Sequence, residues 1–184
     1  MERSSDGLTI RDAREEDRAA VRELTLAAYA EYAEVMEPGA WAGLDGAVRA
    51  ALENGAATDR IVAEHDGRIV GSVMLFPPQV QAYGAFAEAA RAPELRLLAV
   101  SPGARGLGVG RALVNECILR ARRMGATELG LHTSQTMRVA MGLYQRMGFV
   151  RVPEADFHPP GAELVEGYRL PLDGDAWTDE PKRQ

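Results

Sequence analysis

Hydrophobic and polar positions along the chain change period several times, and each change predicts an element. Leu8-Thr9-Ile10-Arg11 alternates as a short strand does. Ala13 to Met36 has helical composition, Val21, Leu24, Ala28 and Val35 suggest an apolar stripe, and Pro38-Gly39 is expected to stop the helix. Trp41 to Leu52 predicts a second helix, ending near Asn54-Gly55. Two β-branched runs, 60–64 and 68–75, bracket His65-Asp66-Gly67. An Asp-Gly between such runs is a hairpin signal. Pro77-Pro78 ends the second run and opens a loop, with room for a short helix, through Ala92.

Glu94 to Val100 predicts a strand whose phase is irregular. Leu95 and Leu97 share one face and Glu94 and Arg96 the other, but Leu98 and Val100 fall in the opposite register. Either both faces become buried there or a β-bulge shifts the phase near Leu97-Leu98. After the break at Ser101-Pro102-Gly103, a helix is expected at about Gly108 to Met124. Val109, Leu113, Cys117 and Ala121 form its stripe and Gly125 its cap. A strand over Glu128 to His132 and a helix over Thr136 to Met147 follow, the helix with Ala140, Leu143, Tyr144 and Met147 on one face and Gly148 after its end. Phe149 to Val152 and Glu163 to Leu170 predict an antiparallel pair of strands. The order is α/β with a mixed sheet in one domain, residues 1–172, followed by a flexible acidic tail over 173–184.

Composition narrows the function. The chain has 184 residues, 46% hydrophobic and 26% charged, with a net charge of −6. That is ordinary globular usage, and the negative balance argues against wrapping nucleic acid or lying on an anionic membrane. The lone Cys117 excludes an internal disulfide and a Cys-cluster zinc site. His65, His132 and His158 lack metal-ligand spacing, so no metal is expected. The charged start and the lack of a long apolar run predict a cytoplasmic protein. Lys182 is the only lysine; so arginine-heavy a chain makes no single arginine a signal by itself.

The most informative segment is LRLLAVSPGARGLGVGRALV. A strand enters, Gly106, Gly108 and Gly110 form a turn, and a helix begins. Glycines let the backbone approach a ligand, and a helix N-terminus offers unpaired N–H groups to an anion. Arg105 and Arg111 flank the turn, so a phosphate or pyrophosphate site is expected, against the alternative of a tight connection that binds nothing. No GK[ST] follows, and GxGxxG fails because its third glycine falls on Arg111.

The run Arg105-Gly106-Leu107-Gly108-Val109-Gly110 fits the pattern [QR]-x-x-G-x-[GA]. With ELRLLAV before it, RALV behind and LYQRMGF about thirty residues later, the chain resembles the GCN5-related N-acetyltransferases over nearly its whole length. The resemblance implies a mostly antiparallel mixed sheet with a central strand splay, about four flanking helices, and acetyl-CoA as cosubstrate. It implies that Leu98, Ala99 and Val100 line the pantetheine arm, with backbone groups of Leu98 and Val100 bonding pantetheine and the thioester carbonyl. Backbone N–H groups of Arg105, Gly106, Leu107, Gly108, Val109, Gly110 and Arg111 would hold the pyrophosphate.

The same resemblance makes Tyr144 a general acid toward the departing thiolate, the alternative being a core tyrosine. Glu94 aligns with a general base of some relatives, the alternative being an ion pair with Arg96 or another strand neighbour. Transfer in the family is direct, so Cys117 reads as core. Met137 stands where relatives often have an asparagine, leaving that polar contact missing or supplied by Thr133, Ser134 or Thr136. The acceptor is an amine of a small molecule or protein. Glu31, Glu34 and Glu37 either attract its charge or form a solvated helix end. Tyr29, Tyr32, Trp41, Tyr83 and Phe86 either wall its site or pack the core. A non-catalytic acyl-CoA-binding module, a longer acyl chain and a homodimer remain alternatives.

Overall fold

The computed structural model describes residues 4–5, 7–53, 59–78, 91–159 and 162–173. Its elements are β1 (Ser4–Ser5), β2 (Leu8–Asp12), α1 (Arg18–Ala30), α2 (Pro38–Glu53), β3 (Asp59–His65) and β4 (Arg68–Phe76), then β5 (Glu94–Val100), α3 (Val109–Arg123), β6 (Glu128–Thr133), α4 (Arg138–Arg146), β7 (Val150–Arg151) and β8 (Glu166–Pro171). The strands form one sheet in the order β1-β2-β3-β4-β5-β6-β8-β7. Only β5 and β6 run parallel; the other neighbours are antiparallel.

Local chemistry explains the hairpin and the bulge. Asp66 (φ 50°) and Gly67 (φ 73°) both take positive φ, with His65 paired to Arg68, so β3 and β4 are joined by a two-residue turn of the I′ kind. On β5, Arg96 pairs with Met74 but Ala99 with Ser72, which leaves Leu97 and Leu98 opposite Val73 alone. Leu97 absorbs the extra residue with φ 52°. The bulge, not burial of both faces in one register, accounts for the irregular phase. It also corrects the expectation that Leu95 and Leu97 share a face. Leu97 packs with Val48, Leu52, Met74 and Phe76 beneath α1 and α2, whereas Leu95, Leu98 and Val100 belong to the core under α3.

That larger core lies between α3, α4 and the sheet. Val109, Leu113, Cys117 and Ala121 are all fully buried against Ile61, Val73, Leu75 and Leu131. Each large apolar side chain so buried stabilises by about 1.5–3 kcal/mol. The first helical region departs from its stripe. A 3-10 turn at Glu15–Asp17 precedes α1, another at Glu31–Glu34 follows it, and Val35 is 66% exposed. Val21 of the expected stripe is buried on α1, and so is the polar Thr25, sharing a 3.1 Å hydrogen bond with Ser72 on β4. Pro38 starts α2 rather than stopping α1, because a missing N–H costs nothing at a first helical position. Asn54-Gly55, Tyr83, Phe86 and the tail beyond Asp173 lie outside the described residues.

Candidate active site

Strands β5 and β6 meet at a single position. Glu94 pairs with Gly130, the Gly130 N–H donates to Pro93 O at 2.8 Å, and no further pair joins the strands. From there β6 follows β8 through six consecutive pairs, while β5 turns through its bulge and follows β4. The two central strands therefore splay, and the β5 edge carrying Leu98, Ala99 and Val100 lines the opening.

The open edge runs into the glycine turn. A 3-10 turn at Pro102–Ala104 leads to Gly106 (φ 83°) and Gly108 (φ 78°), both in the left-handed region that favours glycine. Gly108 caps α3 without a side chain, and the first intrahelical bond runs from Ala112 N–H to Gly108 O at 2.9 Å. The N–H groups of Val109, Gly110 and Arg111 have no acceptor within the helix. Gly110 serves packing instead, since a Cβ there would lie 3.2 Å from Leu143 Cδ2; its bareness lets α3 approach α4. Leu107 and Arg111 are exposed. Arg105, also at the surface, pairs with Glu31 at 2.7 Å. Of Glu31, Glu34 and Glu37, the first is thus already engaged. Tyr29 and Tyr32 meet edge to face beside it, and burial with the Glu31 charge raises the Tyr32 phenol above its ordinary range.

Glu94 is 2% exposed at the root of the splay. Its Oε1 lies 3.3 Å from His132 Nδ1 and 3.5 Å from Arg169 Nη1, without an aligned hydrogen bond among the described residues. Arg96 is not its partner; that guanidinium sits over the Phe76 ring. Gly130 makes the arrangement fit, since a Cβ there would come within 2.7 Å of Arg169 Nη1 and 3.2 Å of Glu94 Cγ. His132 Nε2 faces Ala155 O at 2.9 Å, and Phe157 closes edge-on over the imidazole. Metal-ligand spacing passes over His132. Its signal was instead the alternation Gly130-x-His132 on a strand, which puts it on the face of Glu94.

Tyr144 is buried on α4, its ring tilted against Phe149 in the cluster that contains Leu95, Leu113 and Leu131. Successive residues of a strand face opposite ways, so Tyr144 and Glu94 stand on opposite sides of the sheet. Of the three substitutes for an asparagine at Met137, Ser134 and Thr136 both donate to Glu163, at 2.6 and 2.9 Å. The Thr133 hydroxyl is buried without a hydrogen-bond partner among the described residues. Burial drives the Cys117 thiol far above its ordinary range, so it holds no reactive thiolate.

The sequence profile of the acetyltransferase (GNAT) family matches residues 18–149, from the first turn of α1 to the residue before β7. The chain belongs to that family. Human N-acetyltransferase 8B is 35% identical over 99 residues, 53% of this chain and 40% of that protein. The mycothiol acetyltransferase of Cellulomonas flavigena is 34% identical over 105 residues, 55% of this chain and 30% of that protein. The chain thus matches less than half the length of these curated relatives. A GNAT family acetyltransferase from Brucella melitensis, solved in complex with acetyl-CoA, superposes with a TM-score of 0.58 at 26% identity, covering 91% of this chain and 90% of that one. No helix among the described residues of this GNAT protein is long and apolar enough to cross a membrane.

Proposed function

We propose that the protein is an acetyl-CoA-dependent N-acetyltransferase that passes the acetyl group directly to a primary amine of a small molecule or protein. The observation that carries this reading is the splay, open from Glu94 onward and ending at a glycine turn whose helix N–H groups have no acceptor within the helix and no side-chain cap among the described residues. A long, thin ligand with a pyrophosphate at one end matches that shape, and acetyl-CoA, with which the Brucella relative was solved, is a ligand of that kind. The turn from Arg105 to Arg111 holds the pyrophosphate, and the edge at Leu98, Ala99 and Val100 holds the pantetheine arm. Thr133 is the residue that replaces the missing asparagine contact, because its hydroxyl is the one without a partner among the described residues.

The two faces of the sheet then divide the work. A thioester lying in the splay has Tyr144 on the α4 side, to protonate the departing thiolate, and Glu94 on the α1 and α2 side, to relieve the acceptor ammonium of a proton. A backbone N–H of β5 polarises the carbonyl as the amine attacks. The domain is taken as residues 1–172, since the Leu172 N–H still donates to Thr127 O at 2.8 Å, and the protein as cytoplasmic. A free-thiol release assay with acetyl-CoA over polyamines, aminoglycosides, amino acids and peptides tests the proposal. Thiol release that depends on one amine class supports it. A thermal shift with CoA but no release with any amine would make the chain an acyl-CoA-binding module instead.

A further inference from the structure

We infer that Glu163 is a positioning residue for the transfer step: by holding the start of α4 it sets where Tyr144 stands. This rests on the proposed role of Tyr144 as the acid that protonates the departing thiolate.

Helix α4 does not fix its own start. Its N-cap is Met137, which makes no side-chain cap bond, and 9 residues are too few for a helix to be stable alone. The first bonds come from the connection before it. The Met137 N–H donates to Ser134 O and the Arg138 N–H to Thr136 O, both at 3.0 Å. These are the same two residues whose hydroxyls donate to Glu163, Ser134 to Oε1 at 2.6 Å and Thr136 to Oε2 at 2.9 Å. One carboxylate therefore fixes both carbonyls on which α4 begins. Between them, Gln135 donates to Glu166 Oε1 at 2.7 Å, so consecutive side chains are tied to one short segment.

That segment is itself anchored. Glu166 is buried on β8 opposite Thr133 of β6, and accepts from the Tyr168 hydroxyl at 3.0 Å. Upstream, Phe157 and Val165 exchange backbone bonds at 3.1 and 3.0 Å. Phe157 lies edge-on to His132, which neighbours Glu94. One arm of this bridge thus stands on the Glu94 face of the sheet and the other at the start of the Tyr144 helix. Glu163 pairs with no cation among the described residues, so its task here is to present two acceptors in a fixed geometry. Tyr144 lies about 9 Å beyond Arg138 along the helix axis. A displaced helix start is passed on to its hydroxyl, and a misplacement of about 1 Å is enough to slow a chemical step.

The test separates geometry from charge. Single-turnover rates with acetyl-CoA and the amine that turns over best are measured beside CoA affinity and amide hydrogen exchange. Glu163→Gln keeps an oxygen for one hydroxyl and an NH₂ that the other accepts, so its rate should stay within about twofold of wild type. Glu163→Ala should lower the rate about tenfold with CoA affinity unchanged, and quicken exchange at Met137 and Arg138. Ser134→Ala with Thr136→Val removes the same bonds from the other side and leaves the half-buried carboxylate to water. It should match Glu163→Ala, and carries the test where the alanine variant does not fold. In a Tyr144→Phe background Glu163→Ala should cost nothing further, since residues acting through one another are not additive. Glu163→Gln as slow as Glu163→Ala would assign the effect to charge and overturn the inference. Unchanged exchange in Glu163→Ala, or a tenfold loss added in full to that of Tyr144→Phe, would overturn it too. A wild-type rate in Tyr144→Phe would remove the acid role and the inference with it.

Discussion

Gly71 on β4 and Val109 in the first turn of α3 are in contact so close that a Cβ on the glycine would lie 2.6 Å from Val109 Cγ1. Gly71 also pairs with Val100, on the β5 edge of the splay. The bare backbone of one strand thus sets both the seat of α3 and the height of its N-terminus over the glycine turn. Gly71→Ala should destabilise the fold by about 1–3 kcal/mol, as overpacking does, and weaken CoA binding because the first turn of α3 must lift. Urea denaturation and calorimetric titration with CoA measure the two effects separately. Destabilisation with unchanged CoA affinity would show that the turn adjusts independently of its support.

Gly106 and Gly108 have positive φ, and nothing lies within 4 Å of a Cβ at Gly108. The cost of a side chain at Gly108 is therefore conformational, about 1–2 kcal/mol for alanine. Gly108→Glu adds a carboxylate where a pyrophosphate is expected. A ligand at a hundred times its Kd stabilises the native state by about 2.7 kcal/mol, so wild type should melt higher with CoA. Gly108→Glu should lose that shift entirely. Gly103→Ala, also uncrowded but without a positive φ, should keep both stability and shift. A full CoA shift in Gly108→Glu would move the anion site elsewhere.

An acid-sensitive contact lies far from the splay. Asp17 accepts from Arg11 at 2.6 and 3.1 Å and from the Arg14 N–H at 2.7 Å. The Arg11 guanidinium holds this carboxyl below its ordinary range, against the opposing effect of burial. A group depressed in the folded state contributes its stability above the unfolded value, about 3.9 for aspartate, and loses it as pH falls through the folded value. Asp17→Asn should cost about 1–3 kcal/mol at pH 7 and flatten the loss of stability between pH 5 and the acid transition. Urea midpoints across about pH 3–7 give the slope; equal slopes in both proteins would remove Asp17 from the acid response.

Much of the fold is legible in the chain because it is local. Asp66-Gly67, the glycine turn and the α3 stripe each write their geometry into consecutive residues. The bulge is legible too, as a phase error, although it takes the positive φ of Leu97 to show which residue absorbs it. What escapes depends on strands distant in sequence. Arg169 reaches Glu94 only because β8 inserts between β6 and β7. Thr25 lies off the stripe of Val21, Leu24 and Ala28, and its burial follows only once Ser72 of β4 is placed against it. Pro38 is ambiguous in any sequence, since proline both ends one helix and begins the next.

Tyr144 offers the sharpest separation of packing from chemistry. Its ring fills the α3–α4 core against Phe149, while the acid role belongs to the hydroxyl. Tyr144→Phe keeps the ring and removes one oxygen, so stability should fall by only about 1 kcal/mol. Loss of a general acid should lower turnover roughly 10²-fold, with CoA affinity retained. Tyr144→Ala should instead cost about 3–5 kcal/mol, as emptying an aromatic core site does, and lower activity through unfolding. The thiolate is a fair leaving group unaided, so a loss smaller than a hundredfold still agrees with an acid that assists departure. Single-turnover rates, which isolate the chemical step, decide the matter. A wild-type single-turnover rate in Tyr144→Phe would make this tyrosine a core residue and leave the thiolate to depart unaided or with the help of another donor.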